Sequence, residues 1–329
     1  MRISAIGLHV VIGALLTLSV SASAVAQKKY PERPVRFIVS VGAGGIIDTA
    51  SRAVAKRMGE KLGQPFVVEN RPGAGSNIAG QTLATAKPDG YTLMVALDGL
   101  ITVNPGLYAK MPFDPLKDFA PVGIVAGQGY QILVASNEFP ANDVRAIIDF
   151  AKRNPNAVNY ASGGVGSPGH IYGELFAHHS GVQMQHIPFR SNPAAVLEVV
   201  AGRIQLMFSN PYGALPNIAG NKWKAIAIAG PARSDLFPGV PTIAESGLAD
   251  FNPGTYSFVL VAPAATPVEI IDQLNRTLNE VVSEPAYRDQ MKRFGMESQT
   301  ISPSDLGALL AKDQSYWTPL VRRLGISSE

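Results

Sequence analysis

From Val35 onward the chain alternates short apolar runs with segments of helical spacing. Val35 to Val41, Phe66 to Glu69 and Tyr91 to Leu97 are apolar and largely β-branched, as strands covered on both faces should be. Between them stand helical patterns, from Ala50 to Leu62 and from the Asn70–Asn77 loop to about Ala86. Such alternation predicts α/β layers with parallel strands. Each of these strands ends in polar or Gly-rich residues, at the edge where open α/β sheets hold ligands.

A Pro-rich stretch, Asn104 to Pro121, reads as a long connection. Val122 to Val125 and Tyr130 to Ala135 are expected strands on either side of Gly127-Gln128-Gly129, a hinge where the chain crosses into a second domain. Helices are then expected at Asp143 to Arg153, His170 to His179 and Pro193 to Ala201. Strands are expected at Val158 to Ala161, His186 to Phe189, Ile204 to Phe208 and Lys224 to Ala229. Ser257 to Ala262 reads as a return strand, followed by helices at Pro267 to Val282, Pro285 to Phe294 and Ser304 to Leu324. A chain of 329 residues that crosses over and returns makes two lobes with a cleft between them. The expected division puts 27–127 with 255–329 in one domain and 128–254 in the other.

The first 26 residues read as a secretory signal: Arg2, an apolar core from Ile6 to Val20, and Ala24-Val25-Ala26 before a cut at Gln27. The apolar run is too short for a membrane anchor. The expectation is an exported periplasmic monomer. Cysteine is absent, which excludes disulfides, thiolate metal sites and cysteine nucleophiles. The net charge is +3 with no basic run longer than two residues, so nucleic acid is not an expected partner.

The chemistry concentrates in two Gly-rich loops. Gly42-Ala43-Gly44-Gly45 ends the first strand and leads into a helix near Ile46, the parts of an anion pocket. It is neither a Walker A loop nor a dinucleotide fingerprint, since Ile47 stands where a third glycine belongs. Asp48 has two readings: an acid paired with Arg52 one turn on, or a pocket wall that accepts from a ligand. The second loop, Gly164 to Gly169, matches the GxGxxG string, but the acid expected roughly 20 residues later for NAD is missing. Its small hydroxyls, Ser162 and Ser167, and its amides are again anion-binding parts. His170 reads as either a ligand donor or a capping residue. There is no histidine pair at helical spacing for a metal, no Gly-x-Ser-x-Gly and no His-Glu-x-x-His. No cofactor, metal or catalytic residue is expected.

Taken in order along the chain, several short motifs resemble those of the periplasmic substrate-binding proteins of tripartite tricarboxylate transporters, the Bordetella uptake gene (Bug) family. They include Gly44 to Arg52, Asn70-Arg71-Pro72-Gly73-Ala74-Gly75, Pro88-Asp89-Gly90-Tyr91-Thr92-Leu93 and Pro112-Phe113-Asp114-Pro115. Tyr160-Ala161-Ser162 through His170, His186-Ile187-Pro188-Phe189 and Val240-Pro241-Thr242 continue the series. The resemblance implies a two-lobed type II periplasmic binding fold that closes on a small carboxylate and hands it to membrane transporter subunits. It places Ala43, Gly44, Gly45 and Asp48 on one side with Ala74, Gly75 and Ser76, and Ser162, Ser167 and His170 on the other. Val41-Gly42, Ser76, Arg190-Ser191 and Ser209-Asn210 depart from the family pattern, and with Asp98 at the end of the third strand they are the positions expected to set specificity. A ligand-sensing partner of a two-component receptor is the alternative on the same fold.

Overall fold

The computed structural model describes residues 30–328, so the expected signal peptide and its cleavage point lie outside the described residues. The chain opens with β1 (Val35–Val39), α1 (Ile46–Leu62), β2 (Phe66–Asn70), a 3-10 turn at Ala74–Ser76, α2 (Asn77–Ala84) and β3 (Thr92–Leu97). The Pro-rich stretch is more structured than expected. It holds the end of a run of one-turn helices, α3 (Gly99–Thr102), α4 (Asn104–Leu107) and α5 (Pro115–Asp118). Proline sits in the first turn of α4 and α5, where its missing N–H goes unneeded.

β4 (Phe119–Gly129) and β5 (Gln131–Ser136) follow, so Gly127-Gln128-Gly129 ends a strand instead of forming a free loop. Next come α6 (Val144–Arg153), β6 (Asn159–Ser162), α7 (Pro168–Ser180), β7 (Gln185–Pro188), α8 (Asn192–Val200), β8 (Leu206–Ser209), α9 (Pro211–Ala219) and β9 (Trp223–Ala229). α9 has no counterpart among the expected elements. Pro216 lies inside it, and an interior proline reads as a helix break. The chain returns through β10 (Tyr256–Pro263) and finishes with α10 (Val268–Ser283), α11 (Pro285–Arg293) and α12 (Pro303–Arg323).

Two five-stranded sheets result, ordered β2-β1-β3-β10-β4 and β7-β6-β8-β5-β9. β1 runs parallel to β2 and β3, and β6 parallel to β7 and β8. The parallel expectation fails for β10 and β5, which are antiparallel to both of their neighbours. The reason is topological: each enters its sheet from the other one. A strand that arrives from the opposite sheet starts at the edge where the parallel strands end. That edge is therefore where the carboxyl ends of β1, β3, β6 and β8 face one another.

Helices cover both faces of each sheet, which is why the strands read as continuous apolar runs. Phe37, Leu93 and Val95 pack toward Val54 and Met58 of α1 and Leu274 and Leu278 of α10. Ile38, Met94 and Ala96 point the other way, to Leu83 of α2 and Leu306 and Leu310 of α12. In the second sheet Ile132, Val134 and Met207 meet Val199 of α8 and Ala214 of α9. Each fully buried Val, Leu, Ile, Phe or Met side chain among them contributes about 1.5–3 kcal/mol.

Candidate ligand-binding site

Two adjoining cavities lie between the facing strand ends, of about 70 Å³ and about 460 Å³. They share Val41, Leu97, Gly163 and Ser167 in their walls. The lobes approach closely here: a methyl added to Gly42 would stand 3.2 Å from the Ser191 Cβ.

Four helix starts converge on the small cavity. Its walls include Gly45, Ile46 and Ile47 of α1, Ser167, Pro168 and Gly169 of α7, Ser191, Asn192 and Pro193 of α8, and Asn210 before α9. First-turn amides have no acceptor inside their own helix, so those of Ile46, Ile47, Gly169 and Asn192 are the natural donors here. Three of the helices carry side-chain caps: Ser167 accepts from the His170 N–H, Ser191 from Ala194 and Asn210 from Gly213. α1 carries none, since its N-cap is Gly45. Asn192 Oδ1 has no hydrogen-bond partner among the described residues. No charged side chain lines this cavity, so an anion there meets amides and helix dipoles.

The first-lobe loop is braced by charge. Asp48 is 4% exposed and accepts from the Gly44 N–H at 3.0 Å, from Asn70 Nδ2 at 2.9 Å and from Arg52 Nε at 3.1 Å. Burial pushes its carboxyl up, but the hydrogen bonds from Arg52, Gly44 and Asn70 outweigh it and hold the carboxyl below its usual range. Asn70 Nδ2 also donates to the Val41 carbonyl, tying β2 to the loop. Both Asp48 oxygens are thus engaged, the i,i+4 pairing with Arg52 included.

The second-lobe loop is braced by neutral groups. Gly166 donates to His170 Nδ1 at 3.2 Å, and Gly164 donates to Ser162 Oγ at 3.1 Å. Ser162 Oγ lies 2.6 Å from His186 Nε2, and the two imidazoles stack with centroids 4.0 Å apart. Burial pushes the His170 ring down to about 3, with His186 adding to it, and the His186 ring down to about 4. Both are neutral at pH 7.

The 460 Å³ chamber is walled by the turn Gly73-Ala74-Gly75-Ser76, by Leu100, Asn104 and Tyr108, and by Gly163 through Ser167 with Phe189 and Arg190. Ala74 and Ser76 adopt φ of 45° and 76°, around Gly75 at 57°. Such left-handed backbone costs a non-glycine residue about 1 kcal/mol or more, and it persists where the surroundings over-determine it. Asn104 Nδ2 provides that support by donating to the Gly75 carbonyl at 2.8 Å. Ser76 Oγ adds a bond to the Ser40 carbonyl.

Of the residues expected at the site, the structure brings together Gly45, Ala74, Gly75, Ser76 and Ser167 as cavity walls. It does not bring the others there. Ala43 and Gly44 are exposed and line neither cavity, and Asp48 lies behind the loop with its oxygens engaged. Ser162 and His170 are buried behind Gly163–Ser167 as braces, and Ser209 is buried with its hydroxyl on the Asn210 carbonyl. Asp98 lines two other cavities, beside Asp313 and Trp317. Ser191 and Asn210, two of the positions that depart from the family pattern, do line the small cavity, and Asn192 beside Ser191 is the wall residue that sequence reasoning missed. The signal was present, because a Ser or Asn cap with proline in the first turn marks the starts of α7, α8 and α9 alike. Among the described residues no cluster could hold a metal ion, and no helix is long and apolar enough to cross a membrane.

Two helix-flanked sheets with their loop edges face to face define a two-lobed periplasmic binding-protein fold. The profile described as "Tripartite tricarboxylate transporter family receptor" matches residues 50–326. The chain is 31% identical to Protein BugT of Bordetella pertussis over 316 residues, 96% of each chain. Among solved structures, Rpa4515 of R. palustris with adipate superposes with a TM-score of 0.85 at 28% identity, covering 90% of this chain and 98% of that one. MatC from Rhodopseudomonas palustris with bound malate gives 0.83 at 30% identity, covering 89% and 100%. The chain belongs to the tripartite tricarboxylate transporter receptor family, among the Bug proteins.

Proposed function

We propose that this protein is a periplasmic solute-binding protein that captures a small carboxylate between its two lobes and delivers it to tripartite tricarboxylate-type transporter subunits, without catalysing a reaction. The observation that carries this reading is the convergence of four helix starts on one cavity without charged side chains, one start lacking a side-chain cap. A single helix dipole is worth about 0.3–1 kcal/mol. Each hydrogen bond to a charged group contributes roughly 1.5–3 kcal/mol, so several amides together offset the desolvation of a carboxylate where one dipole cannot. Relatives solved with adipate and malate support the same ligand class. We assign 27–127 with 255–329 and 128–254 to the two lobes that close on the ligand.

The test is thermal denaturation with a carboxylate panel. A bound acid raises the Tm in proportion to RT ln(1 + [L]/Kd), about 2.7 kcal/mol at a hundredfold excess over Kd. A panel spanning aliphatic and aromatic acids that leaves the Tm unmoved at millimolar concentration overturns the reading.

A further inference from the structure

A carboxylate group matches the 70 Å³ cavity; the adjoining chamber, at about 460 Å³, is more than six times larger. It falls within the roughly 300–1,000 Å³ of pockets for whole small molecules. Like the small cavity, it is walled in large part by apolar residues. Leu97, Leu100, Val165, Phe189 and the Tyr108 ring present apolar surface. A four-carbon acid leaves most of that surface against water, whereas a ring covers it.

Two polar side chains of the lining differ from those of Ser76, Asn104 and Ser167, which are engaged within the protein. Ser40 is 1% exposed, lines the chamber, and its Oγ has no hydrogen-bond partner among the described residues. A buried hydroxyl without a partner costs free energy, and because the Ser40 Oγ is closed to solvent, an acceptor on the ligand recovers that cost once the side chain turns toward the chamber. Arg190 is the sole charged side chain among the chamber walls, is exposed, and forms no ion pair among the described residues. A guanidinium free of carboxylate partners is suited to take one from a ligand.

We infer that the solute is an aromatic dicarboxylate: one carboxylate at the four helix starts, a ring in the apolar chamber, and a second carboxylate met by the Ser40 hydroxyl and the Arg190 guanidinium. This rests on carboxylate capture by the small cavity, and it makes Ser40 and Arg190 the residues that set specificity.

Calorimetric titration of the full mature protein with benzene-1,4-dicarboxylate, benzoate, malate and adipate tests it. The aromatic diacid binds at least tenfold more tightly than malate or adipate. R190Q lowers the preference for the diacid over benzoate by about tenfold. S40A lowers it about threefold while the Tm of the ligand-free protein holds or rises, since the lost hydroxyl had no partner. Tighter binding of malate or adipate than of the diacid overturns the aromatic assignment and leaves carboxylate capture standing. Binding of none of the four overturns both. A diacid preference that survives R190Q and S40A unchanged overturns the roles given to those two residues.

Discussion

The two loops that face each other across the cavity do similar work with opposite chemistry. In the first lobe, Gly42 to Gly45 leads into a helix with no side-chain cap, and the loop is held from behind by an ionised Asp48 with Arg52 and Asn70. In the second lobe, Gly163 to Ser167 leads into a helix capped by Ser167, and the loop is held by two stacked neutral imidazoles and Ser162. A single carboxylate held between them needs donors from both sides but no second anion facing it. The ionised brace is therefore turned away from the cavity with its oxygens engaged. The neutral brace stands behind the loop, where Ser162 Oγ and His170 Nδ1 accept from its Gly164 and Gly166 amides and fix its shape.

The largest expected effect comes from breaking the charged brace. Asp48→Ala strips Gly44, Arg52 and Asn70 of their shared acceptor, and because Arg52 is half exposed and the freed donors regain water, the loss should be about 2–3 kcal/mol, well below the sum of three separate bonds to a charged group. Urea unfolding measures it, and carboxylate affinity should fall in the same variant. An Asp48→Ala protein with unchanged midpoint and unchanged affinity would show that the brace holds nothing.

The neutral brace should respond to pH in its own way. Folded pKa values of about 3 and 4 for His170 and His186 lie below the unfolded value of about 6.5, so the unfolded chain binds protons first as pH falls. Their contribution is fully present above pH 6.5 and is lost on acidification through that window. Asp98 acts in the opposite sense: burial pushes it up to about 7, so below that pH the folded state holds the extra proton. The net should rise from a small fraction of a proton at pH 6.5 to close to one at pH 5, a slope of at most about 1.4 kcal/mol per pH unit. His186→Phe keeps a ring in the stack and should flatten that slope. An equally steep slope in the variant would move the effect elsewhere.

Two smaller changes sharpen the contrast at the helix starts. Ser167→Ala removes the cap of α7 and should cost about 1 kcal/mol, read as a lower urea midpoint. Gly45→Ser adds a cap to α1. The backbone there, at φ −85°, suits any residue, and the nearest atom to the new Cβ is Pro193 Cδ at 3.9 Å. It should stabilise the protein by a few tenths of a kcal/mol while weakening carboxylate binding, because its hydroxyl competes for the same first-turn amides. Stabilisation without any loss of affinity would remove α1 from the site.

The elements were largely legible in the sequence, because each is encoded locally. Val35 to Val39 is a strand on its β-branched run, and Ser302-Pro303 starts α12 as an N-cap with proline in the first turn. The Gly-rich loops and the helix starts behind them were visible for the same reason, as was the family. The directions of β5 and β10 were not, since a strand's pattern does not say from which side it enters its sheet. Nor was the division of labour within the loops. Asp48 and His170 stand one residue from the right place to touch a ligand, and only the hydrogen bonds of the folded chain show them turned to Gly44 and Gly166. Ser191, Asn192 and Asn210 reach the cavity because β7 and β8 end beside β6, and Asp98 is carried off to another cavity by its pairing with Ser257 on the return strand. Local pattern determined which residues could make an anion site; the register and crossing of two sheets decided which of them face it.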